Sequence, residues 1–195
     1  MIILDQLKRE LHFHQTPVRI ISLVPSQTEL LVDLGLKDHI VGVTKFCVHP
    51  QDLRKKKSIV GGTKEVNYEK IRSLNPDIIL CNKEENTPEM VRELEKLCTV
   101  YVSDVISIED AIEVILHFGI IFNIREISVS LIKNFQTLLS GFKNLYREHR
   151  KVLYFIWRKP WMVSGKDTFI NSILELNNWE NLANDPSNRY PEIKI

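Results

Sequence analysis

Two pairs of side chains in this 195-residue chain stand at a spacing that could grip a metal ion. His12 and His14 are two residues apart, so on a strand they share one face. Cys47-Val-His49 repeats the spacing with a softer first donor. Neither fragment has a third ligand nearby, so no metal held by protein side chains is expected. Cys47 beside His49 also suggests a thiol and its base, but i and i+2 neighbours in a loop rarely face each other productively. Gly165-Lys166 lacks the earlier glycine and the following Ser or Thr of a phosphate-binding loop. No G-x-S-x-G elbow or dinucleotide glycine fingerprint occurs, and no motif singles out a carboxylate. Catalysis is not expected.

Composition narrows the classes further. Lys and Arg total 26 against 25 Asp and Glu, a net charge of +1, so no global field gathers nucleic acid or an anionic membrane. Hydrophobic residues at 44% with 26% charged are globular values. Cys47, Cys81 and Cys98 are too few and too scattered for a disulfide framework. The N-terminus MIILDQLKRELHFHQ carries charge where a signal peptide needs an apolar run, so no export signal is expected there. Nowhere do 18 apolar residues run together, so no membrane span is expected.

The elements that position any site alternate. Arg19 to Val24 reads as a buried strand, followed by a helix with Ser26 as N-cap, Glu29 completing a capping box and Gly35 ending it. Ile40 to Thr44 is the next strand. Asn67 caps a helix over Tyr68 to Leu74, and Asp77 to Cys81 follows as a strand. Thr87 with Pro88 opens a helix to Leu97, and Thr99 to Val102 is a further strand. Such alternation predicts a parallel sheet with ligands outside its carboxyl ends, at the loops after Val24, Thr44, Cys81 and Val102 and at Gly61-Gly62. Ser107 to Asp110 is a second capping box, leading into a helix over Ile108 to Phe122. The apolar spacing from Ile127 to Leu145 then predicts a rod over Glu126 to His149, about 36 Å long. A coiled-coil seam is the alternative. Val152 to Trp157 reads as a strand and Thr168 to Leu176 as a helix capped by Asp167. Only about 45 residues follow the rod, near the lower size at which a domain folds alone.

Several segments together resemble the helical-backbone metal-receptor family, the substrate-binding proteins of ABC importers for vitamin B12, ferric siderophores and haem. They are Arg19-Ile-Ile-Ser-Leu-Val-Pro-Ser-Gln-Thr-Glu29, Val41 to Thr44 with His49-Pro50, Val60-Gly-Gly-Thr-Lys64, Asn67 to Ile71, Asn75-Pro-Asp-Ile-Ile79, and Val163-Ser-Gly-Lys166 with Trp179-Glu-Asn181. The resemblance runs from residue 19 to 195 and is closest to the cobalamin-binding branch. It implies an α/β fold of two Rossmann-like lobes with parallel sheets joined by one long helix, the class III periplasmic-binding-protein fold, with the second lobe incomplete. The corresponding division is an N-terminal arm (1–18), a first lobe (19–105), connecting helices (106–149) and a truncated second lobe (150–195).

Carried over residue by residue, the resemblance implies a cleft lined by Ser26, Phe46, His49, Thr63 and Lys64 from the first lobe. Ile156, Trp157, Trp161 and Tyr190 come from the second. Aromatic faces suit a flat macrocycle or a chelate with aromatic arms, and Lys64, Lys83 and Arg158 suit its anionic groups. His49 is the one histidine in those loops that could serve as an axial ligand; the metal otherwise arrives inside the chelate. No cofactor of its own is implied. Glu69 lies where the family's docking glutamate meets arginines of the permease. The implied partners are the chelate (cobalamin or a ferric siderophore, less readily haem) and the permease, and the implied location is the periplasm or cell envelope. Alternatives left open are a cytoplasmic chelate-binding or regulatory relative, a small α/β enzyme, and a homodimer that completes the short lobe.

Overall fold

The computed structural model of the chain describes residues 1–183, 185 and 187–194. The chain divides into two compact units. One is Met1–Asp104 with Val114–Ser130, the other Val105–Glu113 with Leu131–Ile195.

The first unit opens with a hairpin of β1 (Ile2–Leu4) and β2 (Glu10–His12). Then come β3 (Ile20–Ser22), α1 (Pro25–Asp33), β4 (Ile40–Thr44), the short α2 (Leu53–Lys56) and β5 (Ser58–Gly61). They are followed by α3 (Tyr68–Ser73), β6 (Ile78–Asn82), α4 (Pro88–Glu95) and β7 (Thr99–Ser103). Five strands pair in parallel in the order β5-β4-β3-β6-β7. The central strands are apolar on both faces because helices cover both sides. Ile20, Ile21, Ile78, Ile79 and Leu80 are fully buried. The chain winds outward from β3 to β5, then returns to β6, so the order reverses beside β3, where open α/β sheets take their ligands.

Locally encoded signals held. Asn67 accepts from the Lys70 N–H at 2.9 Å, and Thr87 accepts from Met90 at 3.2 Å with Pro88 at the first helical position. Ser107 and Asp110 form a reciprocal box: Asp110 N–H donates to Ser107 Oγ at 3.1 Å and Ser107 N–H to Asp110 Oδ2 at 2.8 Å. Gly35 ends its helix at φ +80°.

Other expectations are corrected. Ser26 does not cap α1. The helix starts two residues earlier, with Val24 in the cap position and Pro25 inside the first turn, where its missing N–H costs nothing. β5, unforeseen in the sequence, exists because β4 offers it a parallel partner. The rod is shorter than expected. After α5 (Ile108–Ile121), Asn123 turns left-handed at φ +55°, and α6 spans Arg125–Lys143, about 28 Å. It stops there because Arg147 folds back, donates to the carbonyls of Phe142 and Lys143, and lays its guanidinium over the Phe142 ring at 4.5 Å.

In the second unit the strand expected over Val152 to Trp157 is two strands. β8 (Arg150–Val152) leads to β9 (Phe155–Trp157), then β10 (Trp161–Val163), α7 (Phe169–Leu176), β11 (Trp179–Asn181) and β12 (Glu192–Ile193). β8 runs parallel to β11, whereas β12-β10-β9 form an antiparallel sheet. Among the described residues of this unit, parallel pairing is thus confined to one strand pair. Thr168, not Asp167, caps α7, accepting from Asn171 at 3.1 Å.

None of the described helices is long and apolar enough to cross a membrane.

Candidate functional site

The first unit carries a cavity of about 720 Å³ at the carboxyl ends of β4 and β5. Two turns shape it. After β4, Thr44 Oγ1 accepts from Phe46 N–H at 3.3 Å and lies 3.3 Å from Cys47 Sγ, which is also 3.2 Å from Thr28 Oγ1. Cys47 is therefore pulled inside, 1% exposed, while Phe46 is pushed out at 49%. His49 is exposed as well, so Cys47 and His49 face opposite ways and do not form a ligand pair. After β5, Gly61 adopts φ +141°, and Gly62 N–H donates to Glu65 O at 2.7 Å, closing a tight loop over Thr63 and Lys64.

Gly61 is required by that loop. A Cβ there would lie 2.5 Å from Glu65 O and 2.7 Å from Val66 Cα. Gly61→Ala is expected to cost about 1–3 kcal/mol in urea unfolding and to move the amide resonances of Gly62 to Val66. A variant that unfolds and resonates like the parent would show that the turn is not tight.

The structure brings Phe46, Thr63 and Lys64 to this one cavity and adds Lys45 and Lys70, which the sequence reading did not single out. Lys45 Nζ sits 5.2 Å from the Phe46 ring centre. The signal for Lys45 was present as its adjacency to Phe46; Lys70 shows only once α3 is set beside β5. The wall is held by the loop after β6: Asn86 Nδ2 donates to Thr63 O at 2.8 Å, and the Lys64 ammonium donates to the Glu84 carbonyl. That loop is fastened in turn by Asn82, whose Oδ1 accepts from Glu84 N–H at 2.9 Å and whose Nδ2 donates to Ser103 Oγ at 3.0 Å. Buried Gln27 donates to Ser103 Oγ at 2.6 Å and to Cys81 O at 3.1 Å, joining α1 to the same seam.

Ser26, His49 and Lys83 lie apart from this cavity. Ser26 is exposed on the first turn of α1. His49 is followed by Asp52, which clamps its loop. The Lys56 and Lys37 ammonium groups bond its carboxylate at 2.8 and 2.9 Å and hold it at about 2. Lys83 pairs with Asp104 at 2.5 Å and borders a smaller recess of about 260 Å³ beside Arg9 and Pro88. Glu69 stands out on α3 at 80% side-chain exposure, with Arg72 at 2.8 Å. His12 and His14 both face solvent while Leu11 and Phe13 are buried, and the His12 ring is 3.5 Å from Glu10. Burial pushes the Cys81 thiol up, and the Cys98 thiol to about 12, so neither is a thiolate at neutral pH.

In the second unit the aromatic residues gather on the β9–β10 hairpin. Trp161 meets Phe155 edge-on at 5.4 Å between ring centres, and the Arg158 guanidinium lies 5.4 Å from the Trp161 ring. Trp157 is 63% exposed and Ile156 36%. β12 brings the segment that begins at half-buried Tyr190 alongside β10, with Ile193 opposite Trp161.

Comparison with known proteins agrees with this architecture. The family described as "Periplasmic binding protein" matches residues 20–194. A Bacillus subtilis ABC transporter substrate-binding lipoprotein, YvrC, is 27% identical over 191 residues, covering 93% of this chain and 60% of its own. The vitamin B12-binding protein of Vibrio cholerae is 26% identical over 183 residues, covering 91% and 65%. The chain thus spans less than two thirds of the length of these relatives. Among solved structures, the periplasmic vitamin B12 binding protein of Vibrio cholerae superposes with TM-score 0.79 at 23% identity, covering 92% of this chain and 71% of that one. A periplasmic haem-binding protein from Pseudomonas aeruginosa gives 0.78 at 23%, covering 91% and 66%. A possible iron-binding protein from Staphylococcus epidermidis gives 0.77 at 26%, covering 92% and 72%.

Proposed function

The chain belongs to the periplasmic binding protein family, with an α/β fold whose second lobe is incomplete, and we propose that it captures a metal chelate for an ABC importer. The observation that carries this reading is the first-unit cavity, which puts an exposed phenyl face and the lysines 45, 64 and 70 around about 720 Å³. That size lies within the range of small-molecule sites, and one aromatic wall with several cations suits a chelate whose rim bears carboxylate, phosphate or catecholate groups. Within the second unit, Trp157, Trp161, Arg158, Ile156 and Tyr190 offer the same aromatic and cationic chemistry, whereas Ser26, His49 and Lys83 lie outside the first-unit cavity and would meet a chelate only where it extends beyond that cavity. Cobalamin or a ferric siderophore ranks ahead of haem, because no tyrosine falls in the first-unit loops as a haem ligand.

Delivery uses Glu69. Its partner Arg72 is three residues away on an exposed helix face, and such a pair is worth only about 0.2–0.5 kcal/mol. The carboxylate can therefore be surrendered to a permease arginine at little cost, which favours encounter rate and register. The site of action is the cell envelope.

Titration with cyanocobalamin, a ferric catecholate, a ferric hydroxamate and haemin, following tryptophan fluorescence, tests the reading. One of them is expected to quench saturably, with the quench reduced in Trp157→Ala and the affinity lowered in Lys64→Ala. Failure of all four to quench or to release heat in calorimetry would refute it. Glu69→Ala is expected to leave that titration unchanged while weakening association with the permease.

A further inference from the structure

We propose that the first-unit cavity selects its chelate by charge. It takes one that keeps a net negative charge, of the ferric tris-catecholate kind, and Lys45 and Lys70 set that preference together with Lys64. The inference deepens the reading that this cavity holds a chelate and rests on it; it ranks neutral chelates, cyanocobalamin among them, behind anionic ones.

Lysines elsewhere in the chain rest on carboxylates. Lys37 and Lys56 meet Asp52 at 2.9 and 2.8 Å, Lys83 meets Asp104 at 2.5 Å and Lys96 meets Glu93 at 2.7 Å. Among the described residues Lys45, Lys64 and Lys70 are in no ion pair, although all three line one cavity. Glu65 is the one carboxylate among the lining residues, so three ammonium groups are set against one negative charge, in a chain whose total is only +1. Like charges gathered in this way repel one another, and an anionic guest relieves that repulsion where a neutral one does not.

The three lysines also hang from one strand. Lys45 N–H donates to Gly61 O at 2.8 Å, and Lys64 sits in the turn after β5 with its ammonium on the Glu84 carbonyl. Asn67 N–H donates to Val60 O at 2.8 Å while its Oδ1 accepts from Lys70 N–H at 2.9 Å, which ties the first turn of α3 to β5 as well. Scattered surface lysines have no such common anchor; here the stems start from fixed points around the cavity, which lowers the ordering cost of binding. A sphere of about 720 Å³ has a radius of about 5.6 Å, inside the screening length of about 8 Å in physiological salt, so the three charges act together on a guest at its centre. Each catechol gives up both hydroxyl protons to bind iron, so a ferric tris-catecholate stays negative after the metal is counted. A ferric tris-hydroxamate is neutral at its core, and cyanocobalamin is neutral overall. Phe46, half exposed at the same wall, offers a catechol ring a face to stack on.

The test titrates the 195-residue chain with a ferric tris-catecholate, a ferric tris-hydroxamate and cyanocobalamin in a calorimeter, at low and at high salt. The tris-catecholate is expected to bind about tenfold or more tighter than either neutral chelate at low salt, and to lose about tenfold between roughly 0.05 and 0.5 M salt, while the others change by under about twofold. Lys45→Gln and Lys70→Gln should each weaken the tris-catecholate by about three- to tenfold. Lys96→Gln removes the same charge from an ion pair on α4, outside the residues that line the cavity, and should leave every affinity as it was. All three lysines are exposed, and unchanged circular dichroism confirms that each variant folds. Equal affinity for a neutral chelate, binding of the tris-catecholate that ignores salt, or losses as large in Lys96→Gln as in the cavity variants would overturn selection by charge and leave chelate capture standing. Failure of all three chelates to bind would overturn the capture reading itself, and this inference with it.

Discussion

Replacing Asp5 by Ala is expected to destabilise the first unit by about 3–5 kcal/mol, although Asp5 is in no candidate site. Its side chain is wholly buried and accepts from Leu7 N–H at 2.9 Å, Arg9 N–H at 3.0 Å, Arg9 Nε at 2.8 Å and Nη2 at 2.5 Å, and Val102 N–H at 3.2 Å. Arg9 reaches on to Val100 O at 2.9 Å and to the Glu95 carboxylate. One carboxylate thus shapes the β1–β2 turn and fastens that hairpin to the outer edge of the sheet at β7. Alanine would leave three backbone donors and part of a guanidinium without their acceptor, and the edge of β7 would open. The midpoint of urea unfolding, at unchanged slope, measures the loss. Glu95→Ala, which removes only the half-exposed end of the chain of contacts, should cost under about 1 kcal/mol. Equal effects of the two substitutions would show that Asp5 does not organise the hairpin.

The second large effect is expected at Gly119, where α5 meets α6. A Cβ there would lie 2.0 Å from Ser128 Oγ and 2.7 Å from Ser128 Cβ, and Ser128 is fully buried. No rotation of the serine clears its own Cβ, so the helices must part. Gly119→Ala is expected to cost about 1–3 kcal/mol and Gly119→Val more. Adding Ser128→Gly removes both clashing atoms and should recover most of the loss from Gly119→Ala. That coupling is readable in a double-mutant cycle, even though a helical glycine itself costs about 1 kcal/mol. Additive losses would show that the two positions do not touch.

The candidate site was legible to the degree that it is built from adjacent residues. Phe46, Thr63 and Lys64 were named from the sequence and share one cavity, because each sits within a few residues of the end of β4 or β5. Lys70 was not named, since it reaches the cavity from α3 and only the pairing of β4 with β5 sets α3 there. Cys47 and His49 show what spacing leaves out: Thr28 and Thr44, brought from α1 and β4, draw the sulfur inward while the imidazole stays exposed. In the second unit the segments Val163 to Lys166 and Trp179 to Asn181 were recognisable as a pattern before their reason was visible. Asn181 bonds the carbonyl of Ser164, and Gly165 admits Arg189 O, to which its own N–H donates at 2.7 Å. A Cβ at Gly165 would meet that carbonyl at 2.9 Å.

By itself the sequence determined whatever a few neighbouring residues decide. Caps at Asn67 and Thr87, the box at Ser107 and Asp110, the turn at Gly35, and the alternation of strands with helices depend on φ preferences and hydrogen bonds that close within one turn. Tertiary structure decided what depends on a distant partner: β5 beside β4, the split of Val152 to Trp157 between two sheets, the end of α6 under Arg147, and the inward turn of Cys47. The physical reason is that a short apolar run is equally content in several places, and only the strand or hydroxyl waiting for it lowers the free energy of one.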